Sequence, residues 1–77
     1  MHQSLAERVA GNVRAEMARA GVSQVELARR LGRSQQYISR RVVGSVSFGV
    51  DELETVASAL GTTIDQLLSE RAVKAGA

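Results

Sequence analysis

Leu5, Val9, Val13 and Met17 recur at every fourth position near the start of the chain, the spacing of one apolar face of an α-helix. Ser4-Leu-Ala-Glu7 precedes that face as a capping box, in which the serine oxygen accepts an early backbone N–H and the glutamate reaches back. Gly21 supplies the stop, so the pattern predicts a helix over about 5–20. Ser23-Gln-Val-Glu26 is a second capping box and opens a short helix through Leu31, closed by Gly32. Ser34 can cap a third helix from Gln35 to about Val43, ending at Gly44. After a loop from Ser45 to Gly49, a fourth helix is predicted from Val50 to Leu60, with Asp51 and Glu52 suited to the positive end of its dipole. Gly61 ends it. Thr63-Ile-Asp-Gln66 resembles a third capping box and starts a fifth helix through about Ser69. Proline is absent and no period-two alternation appears. The expected architecture is all-α: five short helices in one domain over residues 1–77, folded from about 4 to 69, with a mobile tail from residue 70.

A chain of 77 residues has room for one core, and a domain of that size buries only about 60% of its unfolded surface. Hydrophobic residues make up 44%, enough to argue against disorder. Tyr37 and Phe48 are the only aromatic residues, so the core must be aliphatic. Without cysteine there is no disulfide, thiolate metal site or cysteine nucleophile. The lone histidine, His2, lies at the terminus. No Ser/His/Asp set, carboxylate pair in a cleft or glycine-rich phosphate loop appears. We therefore expect no catalysis, cofactor, metal or small-molecule substrate. No apolar run approaches the roughly 20 residues that cross a bilayer, and no signal peptide is visible; no membrane association and a cytoplasmic location are expected.

Net charge is only +2, yet nine of the ten Lys and Arg residues are arginine. Their distribution matters more than the sum. Arg29, Arg30, Arg33, Arg40 and Arg41 fall together with no acid among them, whereas Asp51, Glu52, Glu54, Asp65 and Glu70 gather downstream.

The informative unit is QVELARRLGRSQQYISRRVV, residues 24 to 43. Ala28 is small enough for the second helix of the unit to approach the first. Gly32 permits a turn with positive φ, and Ile38 anchors the later helix to the core. These are the mechanical needs of a helix-turn-helix; a hairpin that merely builds a core would use them too. Helix 3 shifts the balance towards the first. At about 100° per residue, Gln35, Gln36, Ser39, Arg40 and Val43 share one face, while Ser34, Ile38, Arg41 and Val42 lie broadly on the other. A solvated helix would more usually carry Glu and Lys in i,i+4 pairs. Here the outward face has amides and an arginine and no acid. Gln can pair bidentately with adenine and Arg with guanine in a major groove.

Residues 22 to 44, VSQVELARRLGRSQQYISRRVVG, resemble the helix-turn-helix of the phage lambda-type repressor and Cro family. LETVASALGTTIDQLLS is similar to that family's fourth and fifth helices, and the resemblance covers about residues 9–69. It implies a five-helix DNA-binding domain acting as a repressor on a double-stranded operator, usually as a homodimer on a two-fold site. By position, Gln35, Gln36 and Arg40 match base-reading residues, and Ser39 and Val43 match flanking positions near bases or phosphates. Gln24 begins the helix that contacts the DNA backbone and buttresses the first reading residue. Ser34, Arg33, Ser45 and Ser47 complete the expected phosphate set, with the N-terminal ends of helices 2 and 4. Tyr37 either donates to a phosphate or packs at the domain edge.

Three departures stand out. Many members pair an arginine late in helix 1 with a glutamate near the end of helix 3; here Met17 and Val42 occupy those places and are expected to touch in the core. Arg41 stands where the family is usually apolar, and we expect its stem along the core and its head in water, in preference to a backbone or acidic partner. The loop GSVSFG lacks the basic residues common there, which leaves Phe48 to pack beneath the loop or, alternatively, to meet a second copy. Two other functions fit the sequence: a helix-turn-helix retained as a protein-interaction module, and an antitoxin-type regulator, for which the tail after residue 69 is short.

Overall fold

The computed structural model describes residues 3–70. Among them are five helices and no strand: α1 (Leu5–Ala20), α2 (Gln24–Leu31), α3 (Gln35–Val42), α4 (Val50–Leu60) and α5 (Ile64–Leu68). The predicted boundaries hold to within a residue because each is set by local chemistry. Residues 71–77 of the expected mobile tail lie outside the described residues, as does His2. Glu70, the first residue of that expected tail, reaches back to Arg8 of α1 at 3.7 Å.

Both halves of the first capping box form. The Glu7 N–H donates to Ser4 Oγ at 3.1 Å, and the Ser4 N–H donates to the Glu7 carboxylate at 2.9 Å. The Ser4 backbone N–H, and then its hydroxyl, hold the Glu7 carboxyl below the ordinary range. The second box forms by half. Ser23 Oγ accepts the Glu26 N–H at 3.1 Å, but the Glu26 carboxylate turns instead to Arg29 and Arg30. Two guanidiniums outcompete one backbone amide. Thr63 caps α5 through the Gln66 N–H at 3.1 Å, again with no return bond. At α4 the relation reverses: Gly49 has no side chain, and only the reach-back from its N–H to Glu52 Oε1 forms, at 2.8 Å.

The core is aliphatic, as the composition requires. Leu27, Ile38, Leu67, Val13, Val42 and Val56 are all but sealed from solvent. Met17 and Val42 belong to the same apolar cluster as Ala28, so no charge is buried where the family's ion pair would stand. Phe48 packs against this cluster as the loop reading expects. Among the described residues two polar side chains lie inside as well. Asn12 donates to the Leu67 and Ser69 carbonyls at 2.7 Å each, fastening α5 to α1, and Glu16 is buried beside Arg19 at 3.6 Å.

Two glycines matter for placing α3. Gly32 has φ of 66° and open space around it, so conformation rather than crowding calls for glycine there. From this turn Arg33 N–H returns to the Ala28 carbonyl at 2.9 Å. Gly44, at φ of 91°, lies against α1: a Cβ there would stand 3.5 Å from Ala10 Cβ. The chain leaving α3 is thereby folded back onto α1. Helix α3 packs on α2 and on α1, α2 also packs on α4, and α5 closes against α1 and α4.

Candidate nucleic-acid interface

Helix α3 divides by exposure as its sequence predicts. Ile38 and Val42 face the core, with 0% and 1% of their surface exposed. Gln35, Gln36 and Arg40 are exposed, and Ser39 is half-buried beside them. Among the described residues, the side chains of Gln35, Gln36 and Arg40 enter no hydrogen bond or ion pair within the domain. They are available to an external partner.

The start of the helix adds directional donors. Ser34 Oγ accepts the Tyr37 N–H at 3.1 Å, and the Ser34 carbonyl accepts from Ile38. The amides of Gln35 and Gln36 have no such partner inside a helix and, with the dipole, favour an anion at this end. Arg33 and Ser34 are exposed beside it, and Gln24 is half-buried at the start of α2. No hydrogen bond joins Gln24 to Gln35, so the expected buttress between them does not form in the free domain. Ser45 and Ser47 are exposed on the loop after α3, whose first turn is tied down by the Ser45 and Val46 N–H groups on the Arg40 carbonyl.

The arginine cluster, which looks uniform in sequence, separates into two groups. Arg29 and Arg30 both bind Glu26, through 3.1 Å and 2.8 Å bonds from their Nε atoms, and Arg30 also donates to the Ala59 carbonyl at 2.7 Å. The two guanidiniums hold the Glu26 carboxyl at about 2, well below its ordinary 4.5. Arg41 pairs with Glu52 at 3.4 Å. Only Arg33 and Arg40 of the five have no acidic partner among the described residues, and both flank the exposed face of α3.

One expectation is corrected here, and one open alternative is narrowed. The Arg41 head is not in water: its guanidinium carbon lies 3.5 Å from the Tyr37 ring centroid, it faces Glu52, and the side chain is only 16% exposed. An aromatic face and a carboxylate together replace hydration. Tyr37, read as either a phosphate donor or a ring packed at the domain edge, packs against the core cluster in the free domain with its hydroxyl donated to Glu52 Oε2. Val43 offers no polar group from its side chain either. Its isopropyl group is 57% exposed and its N–H goes to the Ser39 carbonyl at 3.1 Å.

The sequence reading missed Arg14. Its Nη1 donates to the Val42 carbonyl at 2.6 Å, covering the open C-terminal end of α3 with a cation. An arginine three residues before Met17 was the available signal, but nothing local to α1 indicates which carbonyl it meets.

Among the described residues no group of three or more His, Cys, Asp or Glu is arranged to hold a metal ion, and no helix is long and apolar enough to cross a membrane. The model of a helix-turn-helix family matches residues 13–67. A structure of a hypothetical transcription factor, NHTF from Neisseria, is similar at 34% identity and a TM-score of 0.80, over 87% of this chain and 77% of that one. The clp gene regulator ClgR from C. glutamicum is similar at 28% identity and a TM-score of 0.84, over 99% and 97% of the two chains. No curated protein matches the chain.

Proposed function

Because the chain belongs to the helix-turn-helix family of the phage lambda-type repressor and Cro, a family of DNA-binding transcription regulators, we propose that it is a repressor of phage or bacterial type, reading an operator with α3. The observation that carries this reading is the exposed face of α3. Two glutamines and one arginine stand there without internal partners, backed by the buried Ile38 and Val42 on the opposite face. Gln35, Gln36 and Arg40, with Ser39 beside them, are assigned to base edges, where each bidentate pair discriminates by roughly 1–3 kcal/mol. Arg33, Ser34, Ser45, Ser47 and Gln24 are assigned to the DNA backbone with the opening amides of α2 and α3. Val43, having no donor to offer a phosphate, suits a thymine methyl group instead.

The similar structures support the same reading: NHTF is described as a hypothetical transcription factor and ClgR as a gene regulator. Pairing on a two-fold operator has its own support in an apolar concavity of about 310 Å³ lined by Leu5, Val9, Phe48, Val50 and Leu68. Val50 is 79% exposed there, within an apolar lining of the kind that a partner surface can cover. A second copy is the occupant that a two-fold operator calls for.

Binding to random duplex DNA over a range of salt tests the function. A DNA regulator keeps a weak, steeply salt-dependent mode on any sequence, whereas an interaction module shows none. Sedimentation of the complex tests the pairing, and one chain on a full site would count against the dimer.

A further inference from the structure

Helix α3 packs on α1 and α2 but has no comparable contact with α4. The space between α3 and α4 is crossed by side chains that converge on one carboxylate. Glu52 accepts the Tyr37 hydroxyl on Oε2, faces Arg41 Nε at 3.4 Å and accepts the Gly49 N–H at 2.8 Å on Oε1. Arg41 also donates to the Tyr37 carbonyl at 3.2 Å and lies 3.5 Å from the Tyr37 ring centroid. Arg33, in the turn before α3, has its guanidinium 4.9 Å from the same centroid. Turn, α3 and the start of α4 are thereby joined through one acid.

We propose that Glu52 is a positioning residue for DNA reading, acting through Tyr37 and Arg41 to fix the rotation and pitch of α3. The inference rests on the reading of α3 as the DNA-contacting helix. Tyr37 is the next residue after Gln36, and Arg41 the next after Arg40. Each bridging side chain is therefore adjacent in sequence to one that faces outward. Rotation of α3 about its axis moves both sets together. The apolar contacts of Ile38 and Val42 are non-directional and tolerate a small rotation, whereas the Tyr37 hydroxyl bond to Glu52 is directional, and Arg41 is held by charge at Glu52 and by a hydrogen bond at the Tyr37 carbonyl. Base pairing by Gln and Arg needs that angular definition. Glu52 sits in the first turn of α4, where the Gly49 amide holds one of its carboxylate oxygens.

Charge alone predicts the opposite result from positioning. Removing an acid beside a DNA-binding surface strengthens binding to any polyanion. Loss of a positioning residue weakens binding to the preferred sequence specifically. The test compares wild type, Tyr37→Phe and Glu52→Gln on the duplex that wild type selects from a random pool and on a scrambled duplex, at a temperature where circular dichroism shows all three folded. Tyr37→Phe keeps the ring and changes no charge, so it is the milder variant.

Both variants are expected to lower the ratio of selected to scrambled affinity by roughly tenfold, a difference of about 1.4 kcal/mol, with scrambled affinity unchanged for Tyr37→Phe and unchanged or higher for Glu52→Gln. The double variant should lose no more than Glu52→Gln alone, since both act through one carboxylate. An unchanged ratio with a lowered melting temperature would overturn the proposal, leaving Glu52 a purely stabilising residue. A wild-type chain that prefers no duplex would instead overturn the DNA-reading function itself.

Discussion

Towards α1 and α2, helix α3 presents Ile38 and Val42, almost wholly removed from solvent; towards α4 it extends Tyr37 and Arg41 to Glu52. The first contact buries aliphatic surface and has little directional demand. The second is partly buried too, but it is polar and directional. Stability and aim are therefore held by different residues of one eight-residue helix. A domain this small can place an exposed row of polar side chains accurately without enlarging its core.

The largest expected effect breaks the apolar side. Ile38→Ala removes a fully buried side chain from the centre of the cluster and should cost about 2–5 kcal/mol, read as a lowered denaturant midpoint. A loss below about 1 kcal/mol would show that α3 is not held chiefly by this contact. Ser34→Ala comes next: it removes the cap on the Tyr37 amide and should cost about 1 kcal/mol, or a fall in Tm of roughly 4–8 °C. Tyr37→Phe sharpens the polar side. Losing one partly buried hydroxyl should cost about 0.5–1.5 kcal/mol, less than Ile38→Ala by a clear margin. Equal losses would erase the distinction between the two contacts.

Arg33→Ala should leave stability within about 0.5 kcal/mol while reducing the salt dependence of DNA binding by about one phosphate contact. The smallest expected effect concerns Glu26. Its carboxyl titrates at about 2 in the folded chain against an ordinary 4.5, held down by Arg29 and Arg30. A depressed folded value gives stability that is present above about pH 4.5 and is lost as pH falls towards 2. Glu26→Gln should flatten that part of the acid-unfolding curve and leave neutral pH little changed, because the pair is exposed and screened.

How far the sequence could be read follows the range of the interactions. Helix ends were legible because Ser4, Ser23, Ser34 and Thr63 act on amides three residues away. The division of α3 into an outer and an inner face was legible because periodicity alone sets it. The fate of Glu26 was not, since a capping box and two nearby arginines compete for one carboxylate and spacing does not rank them. Arg41 was misplaced, and Tyr37 left open, for a different reason: their partner lies on another helix, 15 residues beyond Tyr37. Arg41 looked like a stem with a solvated head because no acid stands within one turn of it. Its acid arrives only with the fold.

The most direct test is selection of duplexes from a random pool, carried out in parallel for wild type, Gln36→Ala and Arg40→Ala. Wild type should recover one defined sequence. Each variant should relax the preference at its own base position, by a factor consistent with about 1–3 kcal/mol per lost pair, while remaining as stable as wild type. If both variants recover the same sequence with undiminished preference, the exposed face of α3 is not the surface that reads DNA.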